Sequence, residues 1–227
     1  MTELSPLALA GIPGLVRCEQ FDREAIAELL TEMTHGAYPH QQVYGDYCTV
    51  HAHIDCPPER VFSYLANPYS LLEWTYSVRA LQPTPTPGLL VGVDAQDTPL
   101  YCRVESHADA LTVDYHCAWD QGRELWMVYL NRIVPAERVL GRPGTVVIWT
   151  NCRHPYYAKN PFPELEPARE RAWVGDYWPF FYAGHSLELA NLKAILEYRQ
   201  RAGLPVGPQL LTPAGGGPGM PGERVRS

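Results

Sequence analysis

The chain has 227 residues, 46% of them hydrophobic and 11% aromatic, with 22 Pro and 18 Gly. From Gly203 to Ser227, 12 residues are Gly or Pro, whereas the preceding part uses these two types at an ordinary rate. Collagen, coiled coil and wholesale disorder are excluded, and a globular body large enough for a real core is set apart from a tail, 203–227, that is expected to be disordered. With 18 basic against 25 acidic residues the net charge is −7, and the short pairs Arg169 with Arg171 and Arg199 with Arg201 lie beside acids. Nothing offers the basic stripe that phosphate binding needs, so no nucleic-acid partner is expected.

The apolar stretch Leu7–Val16 is broken by Pro13 and preceded by Glu3, which does not read as a secretory leader. No apolar run is long enough to span a bilayer, so no membrane role is expected. The six cysteines form no CxxC and fall mostly in strand-like runs, as reduced thiols of a cytoplasmic protein would.

In chain order, residues 1–43 read as an extension carrying one short amphipathic helix. Asp22 is its cap, Ile26, Leu29, Leu30 and Met33 form its apolar side, and Gly36 is its end. Tyr47–Asp55 alternates polar and apolar residues like a half-buried strand. Cys56–Leu65 follows as a helix whose two prolines sit at the start, where a missing N–H is harmless. Leu71–Trp74 is at most one further turn. Six strands are then predicted at Thr75–Leu81, Leu89–Ala95, Leu100–His107, Leu111–Trp119, Glu124–Val134 and Thr145–His154, separated by turn-forming residues. Short gaps between strands mean hairpins and an antiparallel sheet. A Pro-rich loop from Pro155 to Pro167 leads into a long helix, from about Pro167 or Trp173 to Arg201, that stops at Gly203. Trp178, Tyr182, His185, Leu189, Leu192 and Leu196 are spaced 4, 3, 4, 3, 4 and share one helix face.

A curved antiparallel sheet with one long helix across its concave face is the economical packing of these parts, an α+β arrangement. Here the chain resembles the START / Bet v 1-like superfamily, and within it the SRPBCC polyketide cyclase/dehydratase-type proteins. The resemblance rests on Ile54-Asp-Cys-Pro-Pro-Glu-Arg-Val-Phe62 entering the first helix of the body, on Leu71-Leu-Glu-Trp-Thr75 and on the closing helix; it covers residues 44–202. It implies a helix-grip fold with a ligand cavity between sheet and helix. It also implies that Trp74 points into the cavity mouth.

Independently, a face that ought to be pure core contains Tyr182 and His185, whose polar atoms need partners when buried. Either the cavity or a satisfied core position accounts for them. Tyr115, Tyr129 and His154 alternate with polar neighbours on faces that are otherwise apolar and so read as inward, while Arg103, Glu105, Asp114 and Arg153 read as exposed. His51 and His53 have a metal-ligand spacing, but Val50, Ala52 and Ile54 take the inward face, and no metal site is assigned. No P-loop, GxSxG or strand-borne GxGxxG is present, so no nucleotide cofactor is expected.

Two functional readings follow. In the first, the protein is a cyclase, aromatase or dehydratase acting on a hydrophobic biosynthetic intermediate. His185 is then the acid or base, with His154 in reserve. Tyr182, Tyr115 and Tyr129 are hydroxyl donors, and Trp74, Trp149 and Trp178 are walls. In the second, the same pocket carries a small hydrophobic or aromatic molecule unchanged. Either reading allows a monomer or a homodimer.

Overall fold

The computed structural model describes residues 9, 12–17, 20–37, 45–94, 98–165 and 173–208. Helix α1 spans Arg23–Ala37. Strand β1 is Tyr47–Ile54, helix α2 Pro58–Ala66, and a 3-10 turn at Pro68–Ser70 leads to the short α3 at Leu71–Trp74. Strands β2 (Val78–Pro83), β3 (Leu90–Asp94), β4 (Pro99–His107), β5 (Thr112–Trp119) and β6 (Met127–Pro135) follow. The short helix α4 (Ala136–Leu140), strand β7 (Thr145–Cys152) and the long helix α5 (Phe181–Arg201) complete the body. The sheet has seven strands in the order β1-β7-β6-β5-β4-β3-β2, every pair antiparallel, and its two edges do not meet. With α5 laid across the concave face, this is the helix-grip architecture expected from the sequence.

Strand parity decides what reaches that face. In β1, Cys48, Val50 and Ile54 are buried, and in β5 so are Val113, Tyr115 and Cys117. The register of Val50 with Trp149 and of Cys48 with Asn151 puts the odd residues of β7 inward beside them. A bulge between Val78 and Ala80 bends β2. It brings the Ala80 carbonyl oxygen within 1.7 Å of where a Cβ on Gly92 would sit, so only glycine fits there.

Several boundaries differ from the sequence reading. The closing segment is not one α-helix. Val174–Phe180 is a 3-10 stretch with Pro179 inside it, and the α-helix begins at Phe181. Proline removes a backbone donor and crowds the preceding turn, so the regular ladder starts after it. Pro167 lies outside the described residues, as do 209–227, the greater part of the tail expected to be disordered. Strand β7 stops at Cys152, and His154, extended as residues before proline are, caps the 3-10 turn Pro155–Tyr157 that follows. Helix α4 was not legible from sequence; Gly141, at φ +64, ends it.

Helix α5 is buried on two sides. Leu189, Leu192, Ile195 and Leu196 enter the main core against the sheet. Ala183 and Leu187 meet Leu30, Ile26, Leu29 and Met33 of α1. Ahead of α1, the Val16 N–H donates to Asn191 Oδ1 at 2.8 Å, Asn191 Nδ2 returns a bond to the Val16 carbonyl, and Arg17 donates to the carbonyls of Leu72 and Glu73.

At the C-terminal end of α5 an ion cluster is sealed into the core. Arg199 makes a two-pronged contact with Glu73 at 2.7 and 2.8 Å, and Tyr64 donates to the same carboxylate at 2.6 Å. Arg199 also donates to the carbonyls of Val206 and Gly207, so the chain beyond Gly203 turns back onto the helix. Burial works against the charge on Arg199, but Glu73 and Tyr64 together outweigh it and hold the guanidinium further toward its charged form.

Candidate functional site

His185 sits in the second turn of α5, where the helix crosses β6 and β7. Its ring lies 4.2 Å, centre to centre, from Trp149, 5.2 Å from Phe181 and 5.6 Å from Tyr129. One turn on, Glu188 brings Oε2 to 3.4 Å from His185 Nδ1, while its Oε1 accepts from the Tyr76 N–H at 3.2 Å. Both side chains are 9% exposed. A carboxylate beside Nδ1 makes that nitrogen the proton-bearing one in neutral imidazole and leaves the lone pair on Nε2. His185 Nε2 is buried and has no hydrogen-bond partner.

The same is true of two further atoms on the facing strand, Trp149 Nε1 and Asn151 Oδ1. The other end of that amide donates from Nδ2 to the Tyr157 hydroxyl at 3.2 Å, and Tyr157 in turn interacts with the hydroxyl of Tyr129. Tyr129 and Asn151 are directly opposite in the β6–β7 register. Burial pushes the phenols of Tyr129, Tyr157 and Tyr115 well above their ordinary range, so all three remain protonated donors. A hydrogen bond with Cys102 and burial do the same for the Cys117 thiol.

The walls are rings in contact. Trp74 meets Trp149 edge-on at 5.4 Å and Tyr115 at 6.2 Å. Tyr115 donates to the Leu65 carbonyl at 2.7 Å and Trp74 Nε1 to Ser70 Oγ at 3.3 Å, so their polar atoms are committed to the fold. Trp178, in the 3-10 stretch, donates to the Gly45 carbonyl and touches Tyr157 and Phe181. These rings and the side chains of Met127 and Leu189 belong to the core between sheet and helix. A hollow of about 170 Å³ lies on the convex face, lined by Arg103, Glu105, His116, Gly122, Arg123 and Leu125.

The structure thus brings His185, Trp149, Tyr129, Trp74 and Tyr115 into one connected group, with Trp178 joined through Phe181 and Tyr157. Tyr182 is half-buried against the main core. His154 belongs elsewhere. Lying beyond β7, it accepts the Tyr156 N–H on Nδ1 at 3.2 Å and packs on Tyr156 and Trp126. The face of β7 on which it was counted, with Ile148 and Cys152, points outward. Ile148 is 38% exposed, against 3% for Trp149. Pairing with β1 and β6 sets that parity, and apolar content alone misjudged it.

Glu188 was missed, although its i, i+3 spacing from His185 was a usable signal. The inward place of Asn151 and the arrival of Tyr157 from a loop had no local signal. His51 is exposed, and His53 places Nε2 2.8 Å from the Pro143 carbonyl oxygen, on the outer side of β1. Among the described residues no three His, Cys, Asp or Glu side chains gather as a metal cage, and no helix is long and apolar enough to cross a membrane.

A curved antiparallel sheet gripped by one long helix, with α2 and α3 between the first two strands, decides the fold. It is a helix-grip fold. The sequence matches no family model and no curated protein. Solved structures share the arrangement at low identity. A START superfamily protein from Mycobacterium smegmatis is 15% identical, with a TM-score of 0.45, covering 70% of this chain and 99% of that one. The Aha1 dimer from Colwellia psychrerythraea is 12% identical, with a TM-score of 0.45, covering 66% and 96%. DynU16, a protein of the dynemicin biosynthetic locus, is 13% identical, with a TM-score of 0.44, covering 72% of this chain and 50% of that one.

Proposed function

We propose that the chain binds a small hydrophobic or aromatic biosynthetic intermediate between sheet and α5 and acts on it by acid/base chemistry of the cyclase or dehydratase type. The observation that carries this reading is His185, a buried imidazole with a carboxylate at Nδ1 and an unpartnered Nε2 among aromatic walls. In an aldol closure, Nε2 takes a proton from the carbon between two carbonyls, and Glu188 stabilises the imidazolium that forms. The enolate carbon then bonds to a second carbonyl carbon, while the protonated Tyr129 hydroxyl donates to the developing oxyanion. The imidazolium returns its proton to the new alkoxide, and in a dehydration it protonates the departing hydroxyl. Because the rings touch in this state, binding requires them to part.

The test is turnover of a labelled linear β-polyketone by wild type and His185→Ala. Loss of cyclised or dehydrated product in the variant is expected, and equal rates remove His185 from the mechanism. The tight aromatic packing of Trp74, Trp149 and Trp178 favours a second reading, a carrier that holds its ligand unchanged. A native mass spectrum distinguishes the two: a stoichiometric ligand released intact supports the carrier.

A further inference from the structure

Three polar atoms at the His185 site lack partners, and their chemical types are not interchangeable. Trp149 Nε1 can only donate, and that side chain is 3% exposed. Asn151 has committed Nδ2 to Tyr157, which leaves Oδ1 as an acceptor in a fully buried residue. His185, with Glu188 at Nδ1, presents the Nε2 lone pair, again an acceptor. Buried polar groups are overwhelmingly paired in folded proteins, and three orphans on facing elements mark a place completed by something else. They are close neighbours: Trp149 and His185 are ring to ring, and Asn151 is two residues along the same strand face.

Resting on the reading of this interior as a binding site, we infer that its ligand is a neutral, hydroxyl- or N–H-bearing aromatic or enolised molecule. It offers donors to His185 Nε2 and Asn151 Oδ1 and an acceptor to Trp149 Nε1. A phenol beside a carbonyl or a second hydroxyl has this pattern. A carboxylate or phosphate does not: it brings acceptors alone, leaves both protein acceptors unpaired, and places a second negative charge near the buried Glu188 carboxylate. A plain hydrocarbon satisfies the walls and none of the three atoms.

The experiment titrates the full chain with 1,3-dihydroxynaphthalene, 2-naphthoate and naphthalene. Affinity is read by calorimetry, and the site by the indole N–H of Trp149 and the ring nitrogens of His185 in 15N NMR. The dihydroxy compound is expected to bind at least about tenfold tighter than either other probe and to shift both sets of resonances. His185→Phe is expected to erase that preference, bringing the affinity for the dihydroxy compound down to that for naphthalene measured on the same variant; should this variant not fold, Trp149→Phe serves the same purpose.

Equal or tighter binding of 2-naphthoate or naphthalene at these resonances overturns the inference and leaves the binding site standing. Binding of the dihydroxy compound without these shifts also overturns it, as does a preference that survives substitution; buried water would then be the partner of the three atoms. If none of the probes binds, the inference and the reading beneath it fall together.

Discussion

The two ends of the long helix bury polar groups in opposite ways. At the C-terminal end, the charges of Arg199 and Glu73 are matched, Tyr64 adds a donor, and two backbone carbonyls take the remaining guanidinium bonds. At the other, His185 has a carboxylate on one nitrogen and nothing on the other, facing two further orphans on β7. Both are buried, the Arg199–Glu73 pair the more completely. Full pairing rigidifies a fold and leaves no valence for a guest, whereas partial pairing weakens the fold and leaves specific atoms to be filled. The C-terminal cluster is architecture; the His185 group has the form of a site.

The sharpest way to break this contrast is Arg199→Met. It strands the Glu73 carboxylate in the core, and a loss of about 3–5 kcal/mol in urea unfolding is expected. The double variant Glu73→Leu with Arg199→Met removes both charges and should recover most of that loss. A single-variant loss below about 1 kcal/mol would deny the cluster its structural role. The double variant His185→Leu with Glu188→Gln should behave oppositely, folding with stability within about 1 kcal/mol of wild type, since it removes an unpaired buried nitrogen without stranding the neighbouring carboxylate. A loss of more than about 2 kcal/mol would make His185 a fold residue like Arg199.

The smallest effect is expected at Glu197. Burial works to raise its carboxyl, but Lys193, the Asp55 N–H and Arg201 outweigh it and hold it below the ordinary range. A carboxyl depressed in the folded state adds stability above the unfolded value near pH 4.5, and that contribution fades as pH falls through the lowered folded value. Glu197→Gln should therefore narrow the gap to wild type as acid is added, by less than about 1 kcal/mol in all. A gap independent of pH would contradict this.

Much of the fold was legible because its signals are local. The alternation of Tyr47–Ile54, the turns between strands, the prolines at the head of α2 and the stripe through His185, Leu189, Leu192 and Leu196 each depend on neighbours a few residues apart. That stripe also singled out His185 correctly as a buried oddity. What escaped depends on distant partners. Glu73 and Arg199 meet only once the sheet has closed the chain on itself, and Glu73 stands in sequence as an ordinary polar residue before Trp74. The inward place of Asn151, beside Trp149, is imposed by β1 and β6, against the apolar count of β7 itself. His154 was misplaced because the apolar content of β7 favoured its even face, whereas pairing with β1 and β6 turns the odd face inward.

The double burial of α5 has an energetic corollary. Any excursion of this helix away from the sheet must first strip Ala183 and Leu187 from Leu30 and its neighbours and break the Val16–Asn191 pair. Separating the helix alone from the sheet thus also costs the contacts of the N-terminal segment, which braces the helix from a second side.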